Sequence, residues 1–170
     1  MSGGSEAWLC GPIEGVTPYL MPVAHALVQV ATDVEQAAAD LTTDALWDRP
    51  GGAASVGFHL QHIGGALDRL LTYARGEALR DEQLQAARGE RGPGEPPADA
   101  AALVRSVRAA VDRALEQVRA TPHEALLEPR EVGKQKLPSN VLGLLYHAAE
   151  HATRHAGQAV STAKIVRAGT

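Results

Sequence analysis

The chain has 170 residues, 45% of them hydrophobic, enough to bury a core without disulfides. It holds 31 Ala and 19 Leu against 3 Ile, with aromatics at 4%; so few strand formers exclude an all-β domain and argue against a doubly wound sheet. The net charge of −4, with no basic stripe interleaved with aromatics, argues against a nucleic-acid partner.

No apolar run reaches the roughly 18 residues of a membrane span. The stretch from Met1 to Gly15 carries Glu6 and Glu14 and lacks both a basic segment and an apolar one. No signal peptide is expected there, which makes the cytoplasm the expected location. Cys10 is the only cysteine, so neither an intrachain disulfide nor a cysteine-rich zinc site can form. Nothing beside it would lower its pKa, and it reads as a buried or spare thiol near a terminus.

Four long helical patterns follow in chain order. The first runs from about Thr17 to Leu41, with Thr17 able to cap and Pro18 or Pro22 able to sit in the first turn. Leu20, Ala24, Leu27, Ala31, Val34, Ala38 and Leu41 recur at spacings of three and four, which is the seam of a bundle helix. A polar stretch with Trp47, Pro50, Gly51 and Gly52 breaks the pattern. Ser55 can then cap a second helix to about Ala74, with Leu60, Ile63, Leu67, Leu70 and Ala74 as its seam and Gly76 as its stop. Residues 77–97 hold charges, two Gly and three Pro between Gly92 and Pro97, and read as a long exposed connection. The third helix spans about Asp99 to Ala120, on Val104, Val107, Val111, Ala114 and Val118. An irregular stretch from Thr121 to Pro138 precedes the fourth helix, which starts at Ser139 as cap and runs to about Arg167. Its seam of Leu142, Leu145, Ala149, Ala152, Ala156, Ala159 and Ala163 is rich in alanine and lets neighbouring helices come close. The pattern predicts an all-α fold, a single antiparallel four-helix bundle over residues 1–170.

Five of the seven histidines lie in two short segments. His59 and His62 fall on the second helix; His147, His151 and His155 fall on the fourth. His25 and His123 stand alone and read as ordinary polar residues. Four residues advance a helical side chain by about 40°, so the three on the fourth helix form one drifting stripe. Two His at i and i+4 can hold one metal ion, and a third from another helix leaves one position open for water or substrate. His155 lies about 80° from the centre of the alanine seam, His151 about 120° and His147 about 160°. The inner pair is therefore His151 with His155, and His147 is placed at the mouth of the site. On the second helix His59 lies about 50° from the seam centre and His62 about 110°. Phe58, Ala66 and Tyr73 lie near the face of His62, however, so spacing alone leaves that choice open. A zincin motif is absent: Glu150 precedes His151 and points about 100° away from it, which suits a solvated ion pair better than general-base work.

The segment Ser55-Val56-Gly57-Phe58-His59-Leu60-Gln61-His62-Ile63-Gly64-Gly65 resembles the second-helix motif of the DinB-like (YfiT-like) metalloenzyme superfamily. His151-Ala152-Thr153-Arg154-His155-Ala156-Gly157-Gln158 resembles that family's fourth-helix signature, His-x-x-x-His followed by x-Gly-Gln. The resemblance implies a four-helix bundle of the DinB/YfiT type with one divalent metal ion, commonly zinc or nickel. By position it assigns the ligands as His62, His151 and His155. Many relatives are dimers, so it also implies a homodimer. Some members transfer or isomerise with low-molecular-weight thiols; others are described as metal-dependent hydrolases on the strength of the site alone.

Fold and ligands do not fix the reaction. Three neutral His leave the metal its full double charge, which favours a bound thiolate or lowers the pKa of bound water. No general base is evident, which tips the expectation towards a thiol-dependent transferase or isomerase acting on a small molecule and away from a hydrolase. Candidate pocket residues are His59, His147, Arg154 and Gln158. Arg154 could pair with a substrate carboxylate or be an ordinary surface Arg; Gln158 could orient His155 or a ligand, or make a helix-packing contact. Phe58 and Tyr73 are read as core packing before pocket lining. Two alternatives predict the same bundle: a non-catalytic metal-binding module of a stress-response or sensing kind, and a metal-free association module.

Overall fold

A computed structural model of the protein describes residues 5–90 and 92–169. Met1 to Gly4, part of the stretch weighed against a signal peptide, lie outside the described residues, as do Arg91 in the long connection and the C-terminal Thr170. Among the described residues there are six α-helices: α1 (Met21–Ala38), α2 (Thr43–Trp47), α3 (Val56–Ala74), α4 (Asp81–Gly89), α5 (Ala100–Ala120) and α6 (Val141–Gly169). Two short strands, β1 (Pro129–Val132) and β2 (Leu137–Asn140), join them. No described helix is long and apolar enough to cross a membrane.

The four long helices are those whose apolar periodicity is readable in the sequence. Every residue of the four seams is buried or partly buried. Leu27, Val34, Leu60, Ile63, Val107, Val118 and Leu145 are each at most 1% exposed; removing one such side chain from water contributes about 1.5–3 kcal/mol. α5 and α6 each pack against both α1 and α3, and all four share one apolar core. The alanine stripe of α6 (Ala149, Ala152, Ala156, Ala159 and Ala163, each at most 2% exposed) brings that helix close to its neighbours.

The starts of α3 and α5 are capped by the side chains that the sequence offers. Ser55 Oγ accepts from the Phe58 N–H at 3.1 Å, and Asp99 Oδ1 accepts from the Ala102 N–H at 2.6 Å. Two boundaries of the first helix shift. Pro18–Leu20 form a separate 3-10 turn with no side-chain cap from Thr17, and the α-helix begins at Met21 with Pro22 in its first turn. The helix stops at Ala38, because Asp40 takes a positive φ of 58°, which leaves Leu41 outside it.

Three further expectations are corrected. The stretch from Thr121 to Pro138 is not wholly irregular, since β1 and β2 pair antiparallel with Pro129 opposite Asn140 and Val132 opposite Leu137. The fold is therefore mainly helical with a two-stranded ribbon. Neither strand shows an apolar alternation, which is why its pattern carries no strand signal. Ser139 belongs to β2, and the residue that caps α6 is Asn140, whose Oδ1 accepts from the Gly143 N–H at 2.7 Å. The carbonyls of Glu128 and Leu126 take the Val141 and Leu142 N–H groups, at 3.2 and 2.9 Å. Arg130 Nε donates to the Ala74 carbonyl at the end of α3, at 2.8 Å. The ribbon and the segment leading into it thus satisfy backbone groups that α6 and α3 leave open at their ends.

The third correction is the connection 77–97, which is not simply exposed. It contains α4, and α4 docks on α3 through polar side chains. Gln83, 5% exposed, donates from Nε2 to Asp68 Oδ2 at 2.6 Å and to Thr72 Oγ1 at 2.9 Å. Glu90, immediately after α4 and 9% exposed, reaches Arg69 and His62. Gln83 and Glu90 are seven residues apart, two helical turns, so they lie on one face.

Candidate metal centre

His62 of α3 and His151 and His155 of α6 come together where these two helices pack. One ring nitrogen from each lies within 4.8 Å of those of the other two. Ring centroids are 4.5 Å apart for His62 and His155, 4.6 Å for His151 and His155, and 5.0 Å for His62 and His151. All three rings are half-buried. His62 Nε2 faces His151 Nε2 at 2.8 Å, while His62 Nδ1 faces Glu90 Oε2 at 2.8 Å. Phe58, one turn before His62, stacks on its ring with centroids 5.5 Å apart and planes 7° from parallel. That contact places Phe58 at the site rather than only in the core.

His59 is the more buried of the two α3 histidines at 5% exposed, as its spacing indicates, yet it stands beside the triad and not within it. Its Nδ1 lies 3.0 Å from His155 Nδ1, within hydrogen-bond reach. His155 takes this partner from α3 rather than from Gln158, against one of the roles expected for that residue. Gln158 is exposed and lines a cavity of about 400 Å³ with His59, Arg154, Gly157, Ser161 and Ile165. No triad histidine lines this cavity, which reaches the triad only through His59 and Arg154.

Arg154 donates to Glu150 through Nε at 3.1 Å and through Nη2 at 3.0 Å, the i,i+4 pair of an exposed helix face. Its Nη2 also lies 3.4 Å from His151 Nδ1. Glu150 thus has the ion-pairing role read for it. His147 is on the rim with its side chain 51% exposed, 3.3 Å from Glu150. Tyr73 lies elsewhere, lining a separate cavity with Gly76, Glu77 and Arg130 next to the ribbon. The isolated histidines have local partners: His25 Nε2 meets the Gly11 carbonyl at 2.9 Å, and His123 pairs with Glu124 and stacks on Tyr19. Cys10 is exposed, a spare thiol.

Electrostatics keep His151 and His155 in the form a cation needs. Burial, reinforced by the adjacent His62 ring, pushes both His151 and His155 down to about 4. His59 is lowered for the same two reasons. At neutral pH these imidazoles present lone pairs rather than positive charge. Burial alone would raise the Glu90 carboxyl, but hydrogen bonds and charge from His62 and Arg69 together hold it below the ordinary carboxylate range. Glu90 is thus an anion with Arg69 on one side and His62 on the other. Three imidazoles suit zinc, nickel or a similar divalent ion, so the donor set fits the ion that the family resemblance implies.

Glu90 and Arg69 border the triad through His62, and the sequence patterns single out neither. Arg69 follows His62 by two helical turns, a weak signal by itself. Glu90 lies in a segment with no apolar periodicity, and only the docking of α4 brings it to the site.

No curated protein matches the chain in sequence. The family model of the DinB superfamily matches residues 26–159, a range holding most of α1, all of α2 to α5, and α6 through both of its triad histidines. By that match the chain belongs to the DinB superfamily.

Proposed function

We propose that this chain is a metal-dependent enzyme that holds one divalent ion, zinc or nickel, on His62, His151 and His155. Its four long helices are read as an antiparallel four-helix bundle forming one domain, with the site between α3 and α6. The observation that carries the proposal is the convergence of three imidazole nitrogens within 4.8 Å from two helices, with a carboxylate on the far nitrogen of one ring. That combination is a recurring arrangement of metal-binding histidines.

When bound, such an ion supplies Lewis acidity that favours the deprotonated form of a coordinated thiol or water. The two carboxylates nearest the triad are both engaged, Glu90 by His62 and Arg69 and Glu150 by Arg154. Neither stands ready as a general base. This favours a thiol-dependent transfer or isomerisation over hydrolysis, because a thiol ionises close to neutral pH and asks less of a base. His59 and Gln158 line the adjoining cavity, sized for a small molecule, and would contact the substrate there. Arg154 sits on the same wall and would orient an anionic group at some cost to its pair with Glu150.

Metal content per chain, measured by elemental analysis on tag-free protein purified without chelator, tests the reading. About one ion per chain is expected, and His151→Ala is expected to abolish stoichiometric binding while keeping the helical fold. Absence of metal after zinc is added and the excess removed would overturn the reading in favour of an association module. Full occupancy in His151→Ala would overturn the ligand assignment.

A further inference from the structure

Four residues of α3 receive Glu90. With its amide turned so that the nitrogen faces them, Gln61 donates to the carbonyls of Glu90 at 3.0 Å and Gly92 at 3.1 Å. His62 Nδ1 meets Glu90 Oε2 at 2.8 Å. Arg69 closes the other side, with Nη1 on Oε1 and Nη2 on Oε2, the latter at 3.2 Å. Gly65 lies between them, and a Cβ there would occupy the place of the carboxylate Oε1. The carboxylate has only 10% of its side chain exposed. The cradle is therefore specific in shape as well as in charge.

An ionised carboxylate can only accept hydrogen bonds. His62 must then carry a proton on Nδ1, and in the neutral ring the lone pair is on Nε2. That nitrogen is the one facing His151 Nε2 at 2.8 Å. One contact made outside the triad thus decides which edge of His62 is presented to it.

We propose that Glu90 is a positioning residue that locks His62 in the Nδ1–H tautomer with Nε2 turned to the triad, and that the docking of α4 thereby sets metal affinity. The idea rests on the metal reading above and extends it to a segment that holds no ligand. Gln83, two turns earlier on the same face, anchors the other end of α4 on Asp68 and Thr72. A carboxylate placed this way orients the imidazole and raises its basicity, and losing it weakens metal binding by roughly 10- to 100-fold.

The test uses the full chain and zinc alone. Glu90→Gln keeps the size of the side chain but offers one oxygen, which the charged Arg69 guanidinium takes first. The amide nitrogen is then left facing His62 Nδ1 and favours the other tautomer. Zinc affinity by chelator competition is expected to fall about 10- to 100-fold. In metal-free protein, the imidazole nitrogen NMR shifts of His62 are expected to move from the Nδ1–H pattern towards Nε2–H. Gly65→Ala, which leaves Glu90 in the chain but fills its seat, is expected to weaken zinc in the same way. Its melting curve shows whether it folds.

An unchanged His62 tautomer in Glu90→Gln overturns the proposal whatever the zinc result. A changed tautomer with zinc affinity equal to wild type overturns the link to metal. If the wild-type chain binds no zinc, the metal reading falls, and so does the claim about affinity. The tautomer measurement, made without metal, still decides the positioning of His62 separately.

Discussion

α1 and α5 form one side of the helical core, and α3 and α6 form the other, yet the two pairs bury different chemistry. Every buried residue of α1 and α5 is apolar. α3 also buries His59 and Thr72, and between α3 and α6 lie the half-buried His62, His151 and His155. An apolar seam is stabilised wherever its surface leaves water, with little demand on geometry. A polar seam needs each group satisfied, and this one is: among the described residues no buried side-chain nitrogen or oxygen lacks a partner. The cost of burying histidines is met by other polar groups, one of them brought from the end of α4. The α1–α5 side acts as scaffold, and the α3–α6 side carries the site.

The largest effect that separates these halves is expected from the scaffold. Leu27→Ala empties a position 1% exposed and should cost about 2–5 kcal/mol, read as a lower denaturation midpoint. Its folded fraction should keep wild-type zinc stoichiometry. A stoichiometry that fell in the folded protein would show that the two sides are not separable.

An intermediate effect follows from protons. In the folded, metal-free protein His151 and His155 are lowered to about 4, against about 6.5 in the unfolded chain. Between those values the unfolded state binds protons that the folded state does not. Stability is therefore full above about pH 6.5 and is lost as pH falls towards about 4. Thermal melts across this range should show a falling midpoint, with a shallower slope in His151→Ala. An identical slope in that variant would mean that the acid sensitivity arises elsewhere, for instance at Glu90.

The smallest effect is expected at the rim. Glu150 is exposed, and its pair with Arg154 is a surface ion pair on one helix. Glu150→Gln should leave the melting midpoint within experimental error, in contrast to Glu90→Gln, where a buried carboxylate between two partners is replaced. Equal shifts in the two variants would remove the distinction drawn between them.

The scaffold and most of the triad are legible in the sequence. The four seams repeat at the helical period, and repetition shows a face without any knowledge of what covers it. The i,i+4 spacing of His151 and His155 and the rim position of His147 come from the same arithmetic. The choice between His59 and His62 does not, because spacing puts His59 nearer the seam while apolar residues also flank His62, and their roles differ in what each meets on α6 and beyond α4. Periodicity leaves the choice open, and it is the resemblance to a known family motif that points to His62.

What the sequence determined alone is local and periodic: the helices, their apolar faces, the histidine stripe and the ion-pairing role of Glu150. What the tertiary structure decided is non-local. It set the contact of His59 with His155, the two-stranded ribbon that closes the ends of α3 and α6, and the seat of Glu90 on α3. The physical reason is the range of the forces. Helix formation and apolar burial act through near neighbours and an average environment, so a pattern of residue types suffices. A hydrogen bond between side chains 28 positions apart, as between His62 and Glu90, depends on directions and distances that exist only once α4 has docked.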